Sequence, residues 1–119
     1  MAVNQILSLP GAATGVSVTG GNTWVFGAWV QASASIGTDI IILGVEFGSR
    51  NAPSGVEVTY EFLLEIGIGD AGSEVSKIQV PYSYRADTGV GYWLLKPINF
   101  FLAEPFSVSS GSRIAVRLT

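Results

Sequence analysis

The sequence predicts an all-β domain, a two-sheet antiparallel sandwich of about eight strands, most simply a jelly roll, with an immunoglobulin-like or barrel topology as the alternatives that strand count leaves open. Three observations carry that reading. No segment keeps a 3.6-residue apolar period through three turns, so no helix is expected. Apolar and polar residues alternate instead, most clearly from Val56 to Ile68. Clusters of Gly, Asn, Asp and Ser, which tolerate positive φ or cap a turn, separate the alternating runs.

The longest run sets the pattern. Val56, Val58, Tyr60, Phe62, Leu64, Ile66 and Ile68 share one face, and Glu57, Thr59, Glu61, Leu63, Glu65 and Gly67 the other. A one-residue slip would bury three glutamates, so the register is fixed and the glutamate face is expected in water. The final run places Ile114, Val116 and Leu118 against Arg113, Ala115 and Arg117, again with one face wet. Further strands are expected from Gly15 to Thr19, Thr23 to Gln31, Thr38 to Gly48, Val75 to Tyr84, Gly91 to Phe101 and Phe106 to Ser109. Between them, Gly20-Gly21-Asn22, residues 51–55, Asp70-Ala71-Gly72-Ser73, Asp87-Thr88-Gly89 and residues 109–112 supply the turns.

A chain of 119 residues fits one domain. The sandwich is expected over residues 15–119, preceded by an arm over residues 1–14 in which Ile6, Leu7 and Leu9 stand before Pro10-Gly11. The arm reads either as a loose terminus or as a segment that packs on a neighbouring subunit. Its first residues lack the basic start and long apolar run of a signal peptide, so synthesis inside a cell is the expectation. No run of about 18 apolar residues predicts a membrane helix.

Composition narrows the function. Charged residues make up 13% of the chain and apolar residues 48%, where an ordinary soluble domain carries about 25% charge. Three Trp, four Tyr and six Phe in so small a fold point to apolar surface covered by a partner. A net charge of −3 with only six scattered bases argues against nucleic acid, which calls for clustered Lys and Arg. Arg113 and Arg117 come nearest to a cluster and read as outward residues of one strand.

Chemistry is scarce. Without His or Cys, the commonest general base, the best transition-metal ligands, disulfides and the familiar nucleophile pairs are all missing. Glu57, Glu61 and Glu65 stand about 13 Å apart in steps along one strand face, wider than the roughly 6.5–9.5 Å between the carboxyls of an inverting glycosidase. Collinear carboxylates on a flat strand enclose no substrate, so a solvated face is the better account. Gly67-Ile68-Gly69-Asp70-Ala71-Gly72 matches a dinucleotide fingerprint in letters only. That fingerprint needs a helix N-terminus to hold a pyrophosphate, and residues 73–80 alternate like a strand. Asp39, Asp70 and Glu74 could meet a calcium ion in a loop, but no dense Asp/Asn run accompanies them. No catalytic residue, cofactor site or metal site is therefore expected, and the protein reads as non-enzymatic.

Several strands are apolar on both faces. Trp24, Phe26 and Val30 alternate with Val25 and Trp29; Tyr92 and Leu94 alternate with Trp93 and Leu95; Phe100 adjoins Phe101. Three readings stand: central strands capped by loops or the arm, a subunit or partner interface, or a platform of Trp29, Trp93, Tyr82 and Tyr84 for sugar rings. On the second, Ile6, Leu7, Leu9, Trp24, Trp29, Trp93, Leu95 and Phe101 are the interface residues.

Residues 40–119 resemble small virion structural proteins of tailed bacteriophages. The likeness is carried by Ile42-Leu43-Gly44-Val45-Glu46-Phe47, residues 64–74 with their Gly-Asp-Ala-Gly-Ser-Glu hairpin, Pro97-Ile98, and residues 106–117 with Gly111-Ser112-Arg113-Ile114-Ala115 leading into the last strand. These are turn and strand patterns rather than chemical signatures. The resemblance implies a jelly-roll-like protein that decorates a capsid or joins a tail or fibre, located in the virion as a symmetric oligomer, a trimer in the leading reading, held to capsid or tail proteins. It brings no catalytic residues. The first 35 residues carry no such likeness and leave the mode of attachment open. A carbohydrate-binding sandwich is the alternative, with glycan as its partner.

Overall fold

The computed structural model describes residues 9, 15–21, 24–47, 58–86 and 98–119. Six strands run through them: β1 Val30–Ser33, β2 Ile40–Phe47, β3 Val58–Ile68, β4 Val75–Ala86, β5 Ile98–Val108 and β6 Ile114–Leu118. All pairings are antiparallel and nested, β1 with β6, β2 with β5, and β3 with β4. The chain is thus one long folded ribbon. Rolling the ribbon brings β3 against β6 and yields a four-stranded sheet, β1-β6-β3-β4, facing a two-stranded sheet, β2-β5. Nested pairs closed by such a roll are the winding of a jelly roll, and the molecule is an all-β two-sheet sandwich.

The core lies between the sheets. Ile66 of β3 and Ile114 of β6 meet Val108 of β5 and the loop residue Ile36, with Ile40, Ile42 and Val45 of β2, Ile78 of β4, and Phe106 packed around them. Tyr82 bridges the layers at one end: its ring lies 5.0 Å from Phe62 on β3 and meets Phe100 of β5 edge-on at 5.7 Å. Alternation in β3 therefore does what the sequence demands, with Leu64 and Ile66 inward.

Turn chemistry fixes the two short connections. Ser73 N–H donates to Asp70 C=O at 2.9 Å and Gly72 sits at φ +87°, so the β3–β4 turn has its one left-handed residue at the third position, as a type II turn requires. The β5–β6 turn repeats this with Ser112 N–H on Ser109 C=O and Gly111 at φ +86°. A third staple holds the β1–β2 loop against that turn. Gly111 N–H donates to Ile36 C=O, Ile36 N–H to Ser112 C=O, and Ser110 N–H to an Asp39 carboxylate oxygen at 2.8 Å.

The strand reading needs correction at three places, giving six strands among the described residues where eight were expected. Gly15 to Thr19 forms no strand; its neighbour Gly20 makes only an isolated bridge to Leu118. Thr23 to Gln31 is a strand only from Val30, because the preceding residues turn at Trp24 and lie across the outer face of the larger sheet. The run from Phe106 does not stand alone but continues β5. The expected break between Phe101 and Phe106 survives inside the strand: Ile42 pairs with Phe106 and Gly44 with Phe101, so four residues of β5 stand opposite Leu43. The predicted strand residues 91–97 and the arm other than Leu9 lie outside the described residues.

Candidate functional site

Three surfaces gather the residues that the sequence singles out. The first is the outer face of β3 and β6, where solvent was expected. Glu65 is instead 2% exposed. Arg117, directly opposite on β6, donates from Nε to Glu65 Oε2 at 2.6 Å. Its guanidinium also lies 4.3 Å from the ring centres of both Phe26 and Trp29. Each neighbour has a reason to be there. The segment before β1 lacks a strand partner for its aromatic residues and lays them on the sheet, and a planar guanidinium accepts a ring on its face while bonding in its own plane.

Trp29 needs room for this. A Cβ at Gly67 would stand 2.6 Å from the far edge of the indole, so any residue other than glycine at that position would push the ring off the sheet. Ala115, opposite Gly67 on β6, is fully enclosed. The letters that mimic a dinucleotide fingerprint thus serve to seat a tryptophan.

The carboxylate of Glu65 is subject to opposing effects. Burial raises its pKa, but hydrogen bonds from Arg117, Ser76 and Gln79 and the charge of Arg117 together hold it below the ordinary 4.5. Glu74 behaves likewise: burial raises it, while Arg113, the backbone N–H groups of Glu74 and Gly72, and the Arg113 charge bring it below 4.5. Arg113 spans from Glu74, at 2.7 Å, to Gln31 and the Gly69 carbonyl. The expectation of wet arginine and glutamate faces is therefore overturned for Glu65, Arg113 and Arg117, because residues 24–29 and the β3–β4 turn cover that side. Of the loop acids, Asp39 and Glu74 are engaged by backbone N–H groups and Arg113. Among the described residues, no three His, Cys, Asp or Glu side chains converge as metal ligands would.

The second surface is the outer face of β2 and β5. Ile41 is 61% exposed, Leu43 44% and Phe101 85%. Phe101 stands opposite Gly44, which offers no side chain to cover its ring. Ala103, Pro105 and Ser107 are also exposed on β5. The exposure of Ile41 and Leu43 was readable in principle: Ile40-Ile41-Ile42-Leu43 has no polar member, so alternation must turn part of it outward.

The third surface holds Trp24, exposed and at φ +59°, beside the β3–β4 pair. Of the sequence-predicted interface, Leu9, Trp24 and Phe101 are exposed, and Trp29 is engaged by Arg117 and Gly67 of its own chain. Ile6, Leu7, Trp93 and Leu95 lie outside the described residues. The structure does not bring Trp29 and Tyr82 together into one sugar platform, since Tyr82 turns its ring between the sheets and Trp29 lies on the outer face.

Fold and surfaces together define a small β-sandwich with one apolar sheet face turned to solvent. Comparisons of this chain with protein-family models, curated protein sequences and solved structures find no match. Among the described residues no helix is long and apolar enough to cross a membrane.

Proposed function

We propose that this chain is a non-enzymatic structural protein of a virion, a capsid decoration or cement protein that self-associates, as a trimer, through the outer face of β2 and β5 and steadies the shell it binds. One observation carries the reading: Ile41, Leu43 and Phe101 form an apolar face in a chain with only 13% charged residues. A second copy is its occupant, and in a trimer the contact is head to tail, so this face of one copy meets a different patch of the next. Burying the Phe101 ring alone is worth about 2 kcal/mol per subunit. The resemblance of residues 40–119 to phage virion proteins supports the setting. Binding only to the assembled shell would favour that state by mass action.

Size-exclusion chromatography with light scattering tests the self-association. Three copies of the 12.5 kDa chain are expected to elute together, and Phe101→Glu should give a monomer with an unaltered circular dichroism spectrum. A wild-type chain that stays monomeric at high concentration overturns the reading.

A further inference from the structure

On the far side of the molecule from Phe101, Trp24 stands at the rim of an open groove of about 300 Å³. Its floor is the β3–β4 pair where Glu61 faces Ser83 and Leu63 faces Pro81. These four lie on the outward side of the sheet, because their neighbours Phe62 and Tyr82 turn inward to each other. Leu63 is held by the chain end: its N–H donates to the Thr119 hydroxyl and its C=O accepts from Thr119 N–H. The floor is therefore rigid.

We propose that this groove binds a neutral saccharide, with one pyranose ring lying on the Trp24 indole and its hydroxyls on Glu61 and Ser83. A sugar ring has one apolar C–H face and a rim of hydroxyls. The groove has the complement of both: an indole with Leu63 and Pro81 on the apolar side, and a carboxylate that accepts two hydrogen bonds beside a hydroxyl that donates or accepts. The groove is open to solvent, so a ligand would lie on its surface rather than be enclosed by it. It suits one or two rings. Glu61 repels acidic ligands, and Ser83 beside it both donates and accepts, which suits a sugar hydroxyl that does the same, whereas an ammonium group can only donate.

The backbone of Trp24 adds an independent observation. A bulky side chain at φ +59° is an uncommon, strained conformation. Nothing in the core asks for it, as the indole is 59% exposed. Such strain is kept where a side chain must be presented in a set direction, and here it directs the indole over the groove. This site is separate from the self-association face, so either stands without the other.

The full chain is titrated, by chemical-shift perturbation at 10 mM and below, with methyl glucoside, methyl galactoside, N-acetylglucosamine, maltose and lactose, and with lysine methyl ester as a cationic control. Saturable binding of at least one sugar is expected, unchanged between low and high salt. Trp24→Gly removes the indole and relieves the left-handed strain, so it should melt no lower than wild type while weakening binding at least tenfold. Glu61→Gln should weaken binding severalfold, and Phe101→Glu should leave it intact. The proposal is overturned by any of three results: no sugar saturates, Trp24→Gly binds as wild type, or only the lysine ester binds and salt abolishes it.

Discussion

Gly67 and Glu65 show how single residues decide which face of a sheet is wet. The Trp29 ring stands where a Cβ on Gly67 would be, so Gly67→Ala should displace the indole and uncover Arg117. A loss of about 1–3 kcal/mol is expected, the usual range for overpacking, read as a lower midpoint in urea. Glu65 gives a pH dependence whose direction follows from its pKa. Its folded-state value lies below the ordinary 4.5, as does that of Glu74. The stability these groups contribute is thus complete above about pH 4.5 and is lost as pH falls below it. Thermal melts at stepwise lower pH should show that decline, and Glu65→Gln should flatten it while lowering stability at neutral pH. A variant whose acid profile matches wild type would show that the Arg117 pair contributes nothing to folding.

At the level of elements, the loop from β1 to β2 acts as a peg. Ile36 is 5% exposed although it belongs to no strand, and its backbone is tied at both its N–H and its C=O to the β5–β6 turn. Ile36→Ala should cost about 2–5 kcal/mol, as large core truncations do, measured by chemical denaturation. A cost near zero would mean that the loop closes over the core without filling it. The strand β4 illustrates a second constraint. Among the described residues it is the edge of its sheet, and Pro81 within it has no N–H to donate outward. Proline there discourages a further strand from pairing with that edge, which leaves sheet faces rather than the β4 edge as the route to association.

For the molecule as a whole, the two faces of the sandwich have opposite fates. The outer face of the larger sheet is roofed over Gly67 and Arg117 by Phe26 and Trp29 of the same chain, while that of β2 and β5 carries Ile41, Leu43 and Phe101 in the open. Self-association should therefore track the second face alone. Phe101→Glu is expected to abolish it, and Arg117→Ala to lower stability without changing the mass in light scattering. If Arg117→Ala instead dissociates the oligomer, the roofed face takes part in the contact. The exposure of Phe101 and Trp24 was legible, because two adjacent large apolar residues cannot both face inward. At Ile41 and Leu43 the sequence showed only that a run with no polar member must turn part of itself outward, and the structure decided which residues those are.

The sequence by itself determined the strand periodicity, the hairpin at residues 69–74 and the turn at residues 109–112. Each of these depends on contacts between near neighbours: alternation of side chains, or a glycine where φ must be positive. Only the tertiary structure decided that Trp24 to Trp29 leaves the sheets, that Glu65 and Arg117 are paired under two aromatic rings, and that the ribbon rolls β3 onto β6. Those outcomes join residues some 40 to 90 positions apart, and local pattern carries no information about which distant segment will cover a face.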